Sequence, residues 1–218
     1  VQVAGVNWFS YTFKPVLDDM GLPIPLNRGL VGVGTNSGKA SVDNFTVQVL
    51  PPAFTLDKTY DFATSAAASA FTVEAGNWTV KAGKYEASSP TAGAVALSLA
   101  NLGAELQASS ILELQAKVAT QGMAGIAFDV YAPDDYKFVA LDVVGDKIVV
   151  GHVTPDGGMK IDFSWARTLD AGTAYTLKLT TNGASVGVYL NGGLVGSYGF
   201  NSVLVDGRFG LISQNGAT

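Results

Sequence analysis

Apolar and polar residues alternate with a period of two along most of this chain. In residues 112–119, Leu112, Leu114, Ala116 and Val118 alternate with Glu113, Gln115, Lys117 and Ala119. In residues 175–180, Tyr175, Leu177 and Leu179 alternate with Thr176, Lys178 and Thr180. Successive side chains of a strand point to opposite faces, so both patterns predict half-buried antiparallel strands. Further strands are expected at 42–49, 59–62, 71–74, 77–81, 84–88, 93–98, 125–131, 136–143, 147–154, 185–190, 194–200 and 207–213, and a strand with one aromatic face at 160–168. Asn182-Gly183, Asn191-Gly192, Asp156-Gly157 and Asp206-Gly207 fall between apolar runs, where such pairs mark tight hairpins. Residues 98–110 read as a loop with at most one helical turn. No amphipathic helix of crossover length occurs, so a parallel βαβ architecture is excluded. The expected fold is all-β, an antiparallel β-sandwich or jelly roll, with a closed barrel as the alternative.

The two ends of the chain resemble each other. Residues 1–17 align without a gap to 188–204, matching at Val1/Val188, Gly5/Gly192, Ser10/Ser197, Tyr11/Tyr198, Phe13/Phe200, Val16/Val203 and Leu17/Leu204. Residues 29–40 then align with 207–218. Such self-similarity suggests a window cut from a tandem array. Pro51 and Pro52 stiffen the chain and lack amide donors, so residues 51–53 are expected to be a linker. It would separate 1–50, the last strands of a preceding repeat, from a sandwich over 54–218 that lacks its final strand. Alternatively, Ser41–Val49 fills that vacant place, in its own chain or in a neighbour, by strand addition.

Composition narrows the functions. Of 218 residues, 48% are hydrophobic and only 14% charged, and 26 are glycine, a mixture suited to short strands and tight turns. The net charge of −5 leaves no basic surface for phosphates, which excludes nucleic acid as a partner. With no cysteine there is neither a disulfide nor a thiolate metal site. No run is apolar for long enough to span a membrane as a helix. An acidic, cysteine-free chain rich in Gly and Thr fits an extracellular or cell-surface protein.

The stretches 136–153, 175–198 and 207–218 resemble the concanavalin A-like lectin/glucanase superfamily, in particular bacterial laminin-G-like jelly-roll modules. The family's final Phe-Asp-Asn strand has a counterpart here only in Val42-Asp43-Asn44-Phe45. The resemblance implies a sandwich fold, and structural motifs of this kind specify the ligand hardly at all. Glucan-cleaving members carry Glu-x-Asp-x-Glu on one strand, which sets an acid and a nucleophile on one face. No such run exists here: Glu113 and Asp129 lack acidic partners two or four residues away, and Asp142 and Asp162 share their faces with Ala140, Val144, Lys160 and Ser164. An enzyme of that kind is therefore not expected. The only histidine, His152, lies on an apolar strand without a nucleophile elbow and reads as a packed or half-exposed strand residue.

Two kinds of binding chemistry remain. Calcium takes several oxygen ligands from carboxylates and loop carbonyls, and modules of this resemblance often hold it. The candidate ligands are Asp134, Asp135, Asp156 and Asp43, each equally at home in an ordinary turn. Glycan binding needs exposed aromatic rings beside polar groups, and the candidates are Trp165, Tyr136 and Tyr131. Trp8 and Trp78 are the remaining tryptophans, and Trp78 is expected to be an inward anchor of the sandwich. The expected function is a non-catalytic carbohydrate-binding or adhesive module of a repeat protein, with a glycan or cell-surface polysaccharide and neighbouring repeats as partners. The alternatives are a structural spacer that passes a strand between units, and an accessory domain of a polysaccharide-degrading enzyme.

Overall fold

A computed structural model describes residues 2–3, 6–7, 16–17, 23–24, 32–45, 47, 56–88, 91, 93–102, 111–202, 204 and 207–214. Contacts divide the chain into two units, Val1–Thr59 and Tyr60–Thr218. In the first unit β1 (Gln2–Val3) pairs with β2 (Val6–Asn7), and β3 (Val16–Leu17) with β4 (Pro23–Ile24), both antiparallel. Residues 42–45 and 47, expected in a strand, carry none. They are exposed, and an alternating pattern makes a strand only where a partner strand satisfies its amides. The aligned copies therefore differ in structure: residues 32–36 hold no strand, whereas their counterparts 210–214 do.

The second unit holds β5 (Phe71–Ala75), β6 (Asn77–Lys81), β7 (Lys84–Ser88), β8 (Val95–Ala100), β9 (Ile111–Val118), β10 (Met123–Ala132), β11 (Asp135–Asp142), β12 (Lys147–Thr154), β13 (Gly158–Ala166), β14 (Tyr175–Asn182), β15 (Ser185–Leu190), β16 (Gly193–Gly199) and β17 (Arg208–Gln214). A large antiparallel sheet has the order β13-β12-β11-β10-β17-β8-β5, and a small one the order β16-β15-β14-β9. The hairpin β6–β7 stands apart as a third ribbon. The fold is an antiparallel β-sandwich of jelly-roll type, as the alternation and turn spacing indicated. The expected strand at 59–62 does not form. Tyr60 and Phe62 instead pack their rings on Phe71, at 4.9 and 5.6 Å between centroids, and Phe62 stacks on Tyr85 at 4.9 Å. The segment 98–110 opens with the last residues of β8, and 103–110 lie outside the described residues.

The two sheets meet over an apolar core. Ile126, Phe128, Val139, Leu141, Ile148 and Val150 from the large sheet pack with Leu177, Leu179, Val186 and Val188 from the small one. Cross-strand register fixes which residues share this inner face: Ile126 opposes Val139, which opposes Val150, which opposes Phe163. The other face of the large sheet is also buried at its centre, through Leu97, Ala127, Phe138, Ala140, Val149 and Ile212. That explains why residues 123–130 and 138–141 read as near-continuous apolar runs: a strand buried on both faces loses its polar alternation. Hairpin geometry follows the turn residues. Asn191 and Gly192, with φ of 49° and 84°, form the connection of β15 to β16 in the left-handed region that a two-residue hairpin needs.

Candidate functional site

Two irregularities of strand pairing build a polar strip on the inner face. In β10 the register shifts after Phe128, and Asp129 takes a φ of 53° that few non-glycine residues adopt. In β13 the pairing runs Val150–Phe163 and then Gly151–Ile161, so Asp162 is an extra residue. A bulge re-aims a side chain, and here each one brings an aspartate to a base on the neighbouring strand. Lys137 donates to Asp129 Oδ2, and His152 Nδ1 lies 2.8 Å from Asp162 Oδ2. Lys137 and His152 are themselves cross-strand partners between β11 and β12. The order across the sheet is therefore acid, base, base, acid, over four adjacent strands.

Burial is graded along this strip. The side chain of Asp129 is fully withdrawn from solvent, Lys137 keeps 18% of its exposure, His152 31% and Asp162 17%. The strip thus opens to solvent toward His152. Because Asp162 is an acceptor, His152 Nδ1 is the donor in that contact, and the ring's free edge is Nε2.

Aromatic rings wall the strip. Phe163 is 47% exposed, and its ring lies 5.1 Å from Trp165 and 6.3 Å from Tyr198, nearly parallel to the latter. Tyr198 packs edge-on against Phe200 at 4.8 Å, and Lys137 Nζ sits 5.5 Å over the Phe200 ring. Burial first, and then the charge of Asp162, raise the Tyr198 phenol above its ordinary value. The phenol therefore stands beside Asp162 and stays protonated through the physiological range.

The residues singled out from sequence fall in different places. Trp165 is half-buried and belongs to the inner core: a Cβ at Gly196 would lie 2.7 Å from its Cε2, so only glycine on β16 leaves room for the indole. It supports the strip rather than presenting a face of its own. Tyr136 is only 3% exposed and points to the opposite face of the sheet, packed with Phe138. It is a core residue, because β11 is covered on both sides, so it offers no platform to a ligand. Tyr131 is 53% exposed near the end of β10. The three rings do not form one surface. Trp78, expected to anchor the sandwich from within, is half-buried and packs instead on Tyr85 of its own hairpin at 4.9 Å, with its indole N–H donating to the Ala75 carbonyl. Trp8 lies outside the described residues.

The acidic candidates are dispersed. Asp134 is exposed in the β10–β11 turn, Asp135 begins β11, and Asp156 is exposed in the β12–β13 turn. Asp43, in the first unit, accepts the amide of Asn44 in a local turn. Among the described residues no three His, Asp or Glu side chains gather as metal ligands. Sequence reasoning misses the strip itself. It weighs Asp129 and Asp162 against carboxylate partners on their own strands, whereas their partners are bases on the next strand. The one sequence signal is a lone Asp inside each of two apolar runs.

Burial pushes the Tyr136 phenol up to about 12. Folding therefore favours the neutral phenol, and that contribution is complete below pH 10 and lost as pH climbs toward 12. We expect the protein to lose about 2–3 kcal/mol more than Tyr136→Phe across that interval, at about 1.4 kcal/mol for each factor of ten in proton affinity. Denaturant midpoints measured at pH 9 and pH 12 for both proteins check this.

Among solved structures, the chain is similar to carbohydrate binding module CBM66 from Bacillus subtilis, with a TM-score of 0.56 and 17% identity, over 67% of this chain and 89% of that one. It is also similar to a galectin of Caenorhabditis elegans (TM-score 0.39, 17% identity, 58% and 86% covered). A Bacillus subtilis protein of unknown function with a galectin-like fold gives a TM-score of 0.48 at 10% identity, over 70% and 86%. No protein-family model and no curated protein matches the chain. At these identities the likeness concerns the fold, and the first of the three carries it. Among the described residues no helix is long and apolar enough to cross a membrane.

Proposed function

We propose that the chain is a non-catalytic carbohydrate-binding module, and that its sugar site is the strip Asp129–Lys137–His152–Asp162 with Phe163 as the stacking ring. The observation that carries this reading is the exposed Phe163 ring beside a row of four polar side chains that two bulges hold in place. Sugars present apolar C–H faces and dense hydroxyls, and they need an aromatic surface with fixed polar partners. Pairing each base with an acid fixes its position in the site. The similarity in fold to a carbohydrate-binding module supports the same reading. We place the module in an extracellular repeat protein of laminin-G-like type, in line with its acidic, cysteine-free composition and the likeness between its two ends.

The test is a broad glycan array, probed with and without a calcium chelator. Binding to a defined glycan class is expected, and Phe163→Ala should weaken it at least tenfold, about the 1.4 kcal/mol of one well-stacked ring. A protein that retains no glycan in either condition would sink the reading. Loss of binding with chelator alone would transfer the site to the 133–136 and 154–158 loops.

A further inference from the structure

Resting on that reading, we propose that the site takes a neutral sugar and reads one of its hydroxyls as a hydrogen-bond donor, with His152 Nε2 as the acceptor and Lys137 as the donor to a neighbouring oxygen. The geometry that leads there is the Asp162 contact. A carboxylate 2.8 Å from Nδ1 holds the ring proton on that nitrogen, which leaves Nε2 with a bare lone pair. The ring is half-exposed, and among the described residues Nε2 has no hydrogen-bond partner. Lys137 is the direct cross-strand partner of His152 on the same face, so the two side chains stand within reach of adjacent ligand oxygens. One of its ammonium protons is given to Asp129, which leaves two for a ligand.

An acceptor of this kind discriminates by chemistry. A hydroxyl can donate to Nε2, whereas a methyl ether, a carboxylate or a sulfate has no proton to give. The charged groups that face His152 are Lys137 on β11, Lys160 and Asp162 on β13, and Asp129 on β10, with the Tyr198 phenol on β16. The two lysines balance the two aspartates, and Tyr198 stays neutral from pH 5 to 8. With its Nδ1 proton engaged by Asp162, Nε2 accepts from a hydroxyl and has no proton to offer the oxygens of a carboxylate or sulfate.

The deciding experiment is calorimetric titration of the whole chain near neutral pH. The probes are neutral oligosaccharides (glucan, galactan, mannan and fructan fragments), their O-methylated forms, and uronate-containing and sulfated counterparts. The expected result is a neutral ligand that is bound, and rejected by about tenfold once methylated, the worth of one hydrogen bond. His152→Gln, whose amide can both donate and accept, should weaken binding about threefold and reduce the discrimination against the methylated form. Neutral binding that tolerates methylation of every hydroxyl, or binding of anionic sugars alone, overturns this inference and leaves the carbohydrate-binding function standing. Failure of every probe rejects that function, and this inference with it.

Discussion

Phe128→Ala is expected to cost the fold about 3–5 kcal/mol, the range for removing a large ring from a tight core. Phe128 is fully buried, packs in the inter-sheet cluster and meets Phe200 edge-to-face at 5.9 Å. It sits on the central strand of the large sheet, between β11 and β17, so the cavity would open where neighbouring backbones are held by ladders on both sides and cannot collapse inward. It is also the last regular residue before the Asp129 bulge. The loss should therefore appear in two readouts: a lower denaturant midpoint, and weaker ligand binding below that midpoint, as Phe200 and Lys137 lose their footing. Phe128→Leu, which keeps most of the volume, should cost less than half as much. A midpoint for Phe128→Ala within about 1 kcal/mol of the parent would show that this part of the core is not packed as described.

The second large effect lies in the pair of Asp129 and Lys137. Asp129→Ala is expected to destabilise the protein by about 3 kcal/mol, the lower end for breaking a buried ion pair, because the ammonium left behind keeps some access to water. Lys137→Met should cost at least as much, since it takes the ammonium from a carboxylate whose side chain has no exposure. The double variant Asp129→Ala with Lys137→Met should recover much of either loss, because a pair replaced by apolar groups leaves no orphaned charge. Chemical denaturation of the four proteins at pH 7 gives the cycle. Additive single losses would show that the two side chains do not depend on each other.

The pair also shows what a bulge does in this sandwich. Asp129 holds a left-handed backbone angle in the middle of an apolar strand, a conformation that is costly for a residue with a Cβ. The lysine on the neighbouring strand offsets that cost. The same device recurs at Asp162 and His152 on the far side of the sheet, and together the two bulges turn part of an apolar face into a polar strip without unpairing the strands around it.

Much of this molecule was legible in its residues. Apolar patterning located β5 to β17, and Asn-Gly pairs located two of their hairpins, because strand direction and turn geometry are set by residues adjacent in the chain. Alternation at 59–62 and 42–45 misled, since the same pattern forms a strand only where another strand supplies hydrogen bonds. Alternation along one strand also cannot tell which face meets a second sheet. Tyr136 and Trp165 looked alike as exposed rings, yet one is buried on the outer face of the large sheet and the other leans on Gly196 across the sandwich. The candidate site was hidden for the same reason. Lys137 lies 8 positions from Asp129 and His152 lies 10 from Asp162, and in each pair the contact exists only because a bulge rotates the aspartate toward the neighbouring strand. The sequence by itself determined a cysteine-free, acidic, antiparallel β-sandwich with tight hairpins. Only the tertiary structure decided which charges meet, because cross-strand register and bulges are properties of two chain segments together and are written in neither alone.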